Sequence, residues 1–192
     1  MRPTLVIMVK EPRPGRVKTR LGRDLSMVGA AWWFRHQTRT LIRRLQSPRW
    51  RLVLAVSPDR EGLTSRVWPA GALRVPQGAG NLGDRMARLF RSLPPGPVVI
   101  IGADIPDVST CHIARAFKAL GSSDAVLGPA PDGGYWLIGL ARRQAVPAPI
   151  FAGVRWSTEH ARTDTERTLR GLRVAYIDQL RDVDTIEDLR PE

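Results

Sequence analysis

Cysteine is all but missing from this 192-residue sequence. Cys111 stands alone, which excludes an internal disulfide and fits a reducing, cytoplasmic setting. The three histidines, His36, His112 and His160, form no ligand-spaced pair, so a Cys/His zinc site is excluded. Any metal is expected to be a hard ion held by oxygen. Long hydrophobic runs are lacking too. The first, Leu5 to Val9, is broken by Lys10, far too short for a signal-peptide core or a membrane span. Repeats, low-complexity tracts and linkers are absent. With 43% hydrophobic residues, the chain is expected to fold as one domain over residues 1–192.

Lysine is scarce as well, three residues against 27 arginines, yet Lys10 and Lys18 lie close together. A lysine that persists against such a bias fits a site that needs a compact ammonium. Acidic residues are rare in the N-terminal quarter. Residues 1 to 51 carry thirteen Lys/Arg and two Asp/Glu, a balance of +11 out of the total of +12. The positive field is therefore local. It suits the mouth of a site for an anionic small molecule as well as a nucleic-acid-binding stripe.

The remaining residues are organised around Pro97 to Asp107. Val98-Val99-Ile100-Ile101 reads as a buried central strand that runs into Gly102-Ala103-Asp104, and Pro106 stops it. Asp104 is thereby placed at the carboxyl end of a strand, where open α/β sheets bind ligands. Further strands are expected at Thr4–Val9, Arg51–Val56, Leu73–Val75, Asp124–Gly128, Tyr135–Leu140 and Arg173–Ile177. Ser26 is placed to cap a helix through Phe34, Leu41 and Leu45, in which Trp32 and Trp33 are expected to pack. Helices are also expected after Gly83 and Ser109, and from Trp156-Ser157-Thr158 to about Leu169. Thr185 and Asp188 form a capping-box pattern. The alternation of strands and helices indicates an α/β fold.

Three segments carry chemistry. The first is the loop from Lys10 through Gly15, Arg16 and Lys18 to Arg20. It follows the first strand, is shaped by two prolines and lined by cations, and suits a phosphate cradle, without the spacing of a Walker A motif. The second, Gly78-Ala79-Gly80-Asn81-Leu82-Gly83, matches G-x-G-x-x-G, with Asp104 21 residues beyond Gly83. That is a dinucleotide-binding signature and leaves an NAD(P)-binding enzyme open. The third, Asp132-Gly133-Gly134 before Tyr135 and Trp136, reads as a hairpin turn or a pocket floor.

Taken in order, Val9-Lys10-Glu11-Pro12 through Lys18-Thr19-Arg20-Leu21, Gly102 to Pro106, Asp132-Gly133-Gly134-Tyr135, Trp156-Ser157-Thr158 and Asp182-Val183-Asp184-Thr185 resemble the selenodomain-associated transferase family. That family is a domain of unknown function placed among GT-A-fold enzymes and related to phospholactate and molybdenum-cofactor guanylyltransferases. The resemblance implies a single GT-A-like, Rossmann-type domain with a mostly parallel sheet and helices on both faces. It implies Mg²⁺ or Mn²⁺ on Asp104 and Asp184, with Asp182 as the alternative ligand. Nucleotide phosphates would lie on Lys10, Gly15, Arg16, Lys18 and Arg20, with Gly80, Gly83 and Arg85 assisting, and no nicotinamide role for that turn. Asp132, Gly133, Gly134, Tyr135 and Trp156 would face the acceptor. The expected activity joins an NTP to a small phosphorylated acceptor. Glycosyl transfer from a nucleotide sugar is the alternative, and nucleic acid is not the expected partner.

Overall fold

The computed structural model describes residues 1–189. Seven strands form one sheet: β1 (Thr4–Lys10), β2 (Arg51–Ser57), β3 (Leu73–Pro76), β4 (Val98–Ile101), β5 (Ala125–Pro129), β6 (Tyr135–Leu140) and β7 (Val174–Tyr176). Their spatial order is β3-β2-β1-β4-β6-β5-β7. β6 runs antiparallel to both β4 and β5, and every other pairing is parallel. Val98, Val99, Ile100 and Ile101 are each at most 2% exposed, which marks β4 as a strand covered on both faces. Burying each of these side chains contributes about 1.5–3 kcal/mol.

Alternation along β1 separates the two cores. Leu5, Ile7 and Val9 face one side, where they meet Phe34 and Leu41 of α1 (Gly22–Arg44) and Ile113 of α4 (Thr110–Ala119). Val6 faces the other side, with Met86, Leu89 and Phe90 of α3 (Leu82–Ser92). A short α2 spans Asp59–Thr64, and α5 spans Ala161–Thr168. The sheet is thus covered on both faces, as the sequence indicates. No helix among the described residues is long and apolar enough to cross a membrane.

Local departures from the sequence reading have physical causes. Ser26 does cap α1, accepting from the Gly29 N–H at 3.1 Å, but sits at φ 68° after a preliminary turn from Gly22. Trp33 packs, whereas Trp32 is 68% exposed and stacks on His36 one turn later, so the packing expected of Trp32 is corrected. α5 starts at Ala161, because Ser157 lies at φ 60° and Trp156 to His160 form turns. Asp188 accepts from the Thr185 N–H at 2.8 Å, as a capping box requires, but only a three-residue 3-10 turn, Glu187–Leu189, follows.

Candidate active site

The site forms where the carboxyl ends of β1 and β4 meet the C-terminal tail. Beyond β4 the chain turns through Gly102, and Asp104 folds its carboxylate back over it. A Cβ on Gly102 would lie 2.7 Å from Asp104 Oδ1, so a larger residue there would make the carboxylate swing aside. The Asp104 carbonyl accepts the Val183 N–H at 3.0 Å, which ties the tail to this loop. Val183 is itself buried against Leu21 and Ala30. Asp182 and Asp184 are thereby carried to either side of an anchored residue. Those contacts bring together groups some eighty positions apart in sequence.

Lys18 lies at the centre. Its Nζ is 2.6 Å from Asp104 Oδ2 and 3.4 Å from Asp184 Oδ1. The two carboxylate oxygens are therefore no farther apart than those contacts added together, 6.0 Å. Lys18 occupies the left-handed backbone region at φ 47°, a strain of order 1–2 kcal/mol for a residue with a Cβ. Its side chain is 8% exposed. Burial works to lower its pKa, but the charge of Asp104, the hydrogen bond to Asp104 and the charges of Asp184 and Asp182 together raise it. The ammonium is thus fixed as a cation. Asp182 is held above the ordinary carboxylate range, first by burial and then by the charge of Asp104. Arg20 reaches Asp184 Oδ2 at 2.7 Å from an exposed position.

These groups line an open cleft of about 840 Å³, with Lys10, Arg16, Lys18 and Arg20 on its basic wall. Beside it, a smaller pocket of about 190 Å³ shares Asp104, Asp132 and Asp182 and is walled by Tyr135, Trp136 and Trp156. Asp132 Oδ1 accepts the Gly134 N–H at 2.8 Å and shapes the turn. Gly133, at φ 84°, lies against the backbone of Glu159, where a Cβ has no room. The Tyr135 hydroxyl accepts from Thr165 at 3.2 Å, and burial pushes its pKa far up. Tyr135 and Trp156 meet edge to face, with ring centroids 6.4 Å apart.

Gly15, at φ 74°, belongs to the basic loop without lining the cleft. Gly80, Gly83 and Arg85 are also outside the lining, where Leu82 alone represents that turn. The Arg85 guanidinium is committed to Gly80 O at 3.0 Å and Gln77 Oε1 at 3.2 Å, which takes it away from a phosphate. Gly83 is a packing glycine, since a Cβ there would lie 2.7 Å from Phe151 and 2.9 Å from Trp156. At the start of α3, Asp84 accepts the Asn81 N–H at 2.9 Å. A carboxylate therefore holds the helix N-terminus where a dinucleotide pyrophosphate would bind, which counts against the Rossmann reading.

Two contributors escaped the sequence reading. Buried Gln77 donates to the Val9 and Ala55 carbonyls at 3.2 and 2.8 Å, joining the glycine turn to the strand ends. Asp164 accepts from Arg155 Nε at 2.8 Å, Arg155 Nη2 at 3.0 Å, the Arg155 backbone N–H at 3.2 Å and Arg167 at 2.8 Å. It pins the segment that presents Trp156. The hydrogen bond from Arg155 holds the Asp164 carboxyl far below the usual carboxylate range, against the effect of burial. That stabilisation is complete above the unfolded-chain value of about 3.9 and drains away as pH falls through the depressed native value. Asp164→Asn should therefore lower the melting temperature at pH 7, and the gap to the parent should close in acid. A gap independent of pH in calorimetry would contradict this account.

Among the described residues, no group of three or more His, Cys, Asp and Glu side chains is arranged to hold a metal ion. Asp104 and Asp184 nevertheless offer hard oxygen donors around a bound cation, the Lys18 ammonium. That chemistry fits Mg²⁺ or Mn²⁺ completed by phosphate and water oxygens.

The fold is of the GT-A-like class. Within that class, the chain belongs to the DUF2064 family, described as uncharacterized proteins conserved in bacteria, whose match spans residues 40–158. This bears out the resemblance seen in the motifs, and the matched span holds Asp104 and Asp132 but neither Lys18 nor Asp184. The chain is similar to a Desulfovibrio desulfuricans G20 protein proposed to be a nucleotide-diphospho-sugar transferase. Identity is 30%, the TM-score is 0.89, and the alignment covers 98% of this chain and 84% of that one. The fold is shared with 4-diphosphocytidyl-2C-methyl-D-erythritol synthase of Anaerococcus prevotii DSM 20548, at 13% identity, TM-score 0.61 and coverage of 97% and 92%. It is also shared with the Mycobacterium tuberculosis H37Rv protein Rv0371C, crystallised with manganese, at 18% identity, TM-score 0.57 and coverage of 98% and 96%. No curated protein matches the chain.

Proposed function

We propose that the chain is a metal-dependent nucleotidyltransferase that takes its nucleotide in the basic half of the cleft. The observation that carries this reading is the Lys18 ammonium held between Asp104 and Asp184 at the foot of a cationic loop. Asp104 and Asp184 would hold the metal, with Asp182 beside them. Bound there, Mg²⁺ or Mn²⁺ supplies charge neutralisation on the donor phosphates. Lys18, Arg20, Lys10 and Arg16 bind and orient those phosphates and stabilise charge that grows on the departing group. The acceptor oxygen bonds to the α-phosphorus as the bond to the bridging oxygen breaks. Pyrophosphate leaves with that electron pair, and a hydroxyl acceptor loses its proton to water. No protein nucleophile is required.

Glycosyl transfer from a nucleotide sugar is the second reading, favoured by the proposed activity of the Desulfovibrio relative. A thermal-shift panel of NTPs, nucleotide sugars and NAD(P), with and without Mg²⁺ or Mn²⁺, tests both. Metal-dependent stabilisation by NTPs, followed by pyrophosphate release in turnover, is the expected result. Release of a nucleoside diphosphate from a nucleotide sugar selects the second reading. Stabilisation by NAD(P) alone, or by no nucleotide, sinks both.

A further inference from the structure

Nine large hydrophobic side chains stay exposed among the described residues, and four of them fall between Leu25 and Trp32, at the start of α1. Val28 is 67% exposed and Trp32 68%. Leu25 lies against Gly29, with its Cβ 3.4 Å from where a Cβ on that glycine would stand, so the apolar surface continues across one turn. Helical spacing then extends it. Val28, Trp32, Arg35, Arg39 and Arg43 follow one another at steps of three or four, which puts them on one face. The core takes the opposite face, through Ala30, Ala31, Phe34, Thr38 and Leu41. The three outward arginines are exposed, and none of them is held in an ion pair with another described residue. Asp24 is the only acid between residues 12 and 58. The large cleft draws on the loop before α1 and on the inward Phe34, and leaves this outer face unused.

Together these features specify a partner. One end of the face is apolar and carries a tryptophan, and the other is cationic with almost nothing to balance it. An anionic bilayer satisfies both ends at once. Its phosphates take the guanidinium groups, while the boundary between headgroups and acyl chains takes Leu25, Val28 and the indole. Duplex nucleic acid matches only the arginines. Trp32 is already stacked on His36, with ring centroids 5.8 Å apart, and its aliphatic neighbours find no counterpart on a phosphate backbone. A second copy would bring the same arginines, with Asp24 again the one acid near them. We infer that the outer face of α1 docks the protein on anionic phospholipid membranes, a peripheral contact that needs no membrane-spanning segment. α1 starts where the basic loop ends, so a docked chain keeps the Arg16 and Arg20 wall of the cleft next to the headgroups.

The test co-sediments the full chain, without nucleotide, with vesicles of phosphatidylcholine alone or of phosphatidylcholine mixed with phosphatidylglycerol. The mixed vesicles should bind about tenfold more tightly or better. Added salt should weaken that binding without abolishing it, because part of the contact is apolar. Val28→Gln with Trp32→Gln should reduce binding to the mixed vesicles about tenfold. Arg35→Gln with Arg39→Gln should do the same. Glutamine keeps a good helix propensity and all four side chains are exposed, so the melting temperature should stay at the parent value. No preference for the anionic vesicles overturns the inference. So does unchanged binding by the Val28/Trp32 variant, which would leave the general positive field acting alone. Tighter binding to duplex DNA than to the mixed vesicles also overturns it, as does a dimer in sedimentation velocity that Trp32→Gln dissociates.

Discussion

Asp104→Asn is expected to abolish metal-dependent nucleotide binding and to cut turnover by about 10³ or more, while leaving the fold intact. Asparagine keeps the shape of the side chain but removes the charge on which both a hard metal ion and Lys18 depend. The backbone bond from Val183 goes to the Asp104 carbonyl, so the tail stays anchored. The side chain is 28% exposed, which limits the structural cost of the change. Asp107, exposed in the same loop, is the matched control: Asp107→Asn should leave nucleotide binding unchanged. Calorimetric titration with Mn²⁺ and NTP, together with a melting curve for each variant, separates the outcomes. Full metal-dependent binding by Asp104→Asn would remove this residue from the mechanism.

Lys18→Met should split two properties that usually fall together. Turnover should drop by about 10²–10³, because a positioned cation on the donor phosphates is lost. Mn²⁺ alone, without nucleotide, should bind about tenfold more tightly. The reason is geometric. Lys18 is the resident counter-charge of Asp104 and Asp184 and also acts on Asp182. Removing it leaves an uncompensated acidic set that an incoming cation relieves. Electron paramagnetic resonance of free Mn²⁺ measures this directly. Unchanged or weaker Mn²⁺ affinity would show that the metal does not bind between these carboxylates.

Much of this site is legible in the sequence because its parts are local. Four β-branched residues followed by Gly102 and Asp104 specify a buried strand that ends in a carboxylate, and β4 has that form. Asp132-Gly133-Gly134 marks a hairpin, which β5 and β6 make. Lys18 stands out through the rarity of lysine. The joining of these parts is not local. The ion pair of Lys18 with Asp184 spans 166 positions, and the bond from Val183 to Asp104 depends on how the tail packs on α1. Trp32 carries the same hydrophobic signal as Trp33, but periodicity does not fix how wide the buried stripe of α1 is. The start of α5 was obscured because Trp156-Ser157-Thr158 has the composition of a helix cap. The Arg155–Asp164 clamp instead holds that segment as a loop. α2 is six residues long and polar, with too little periodicity to register.

The reversal of β6 has a consequence for how such a site can be re-engineered. The basic loop and Asp104 follow β1 and β4, which pair in parallel and are joined through long crossovers. The turn at Ala130–Gly134 hangs on a two-strand hairpin. Four ladder pairs, from Ala125 with Leu140 to Gly128 with Leu137, hold that hairpin in register before the irregularity at Gly128/Pro129 releases the tip. The tip can therefore be exchanged as a cassette, together with its contacts to Glu159 and Arg162, without disturbing the strands that carry Lys18 and Asp104. With the acceptor role that the motif resemblance implies for this turn, chimeras that swap the tip are expected to redirect what is modified and keep what is spent in modifying it.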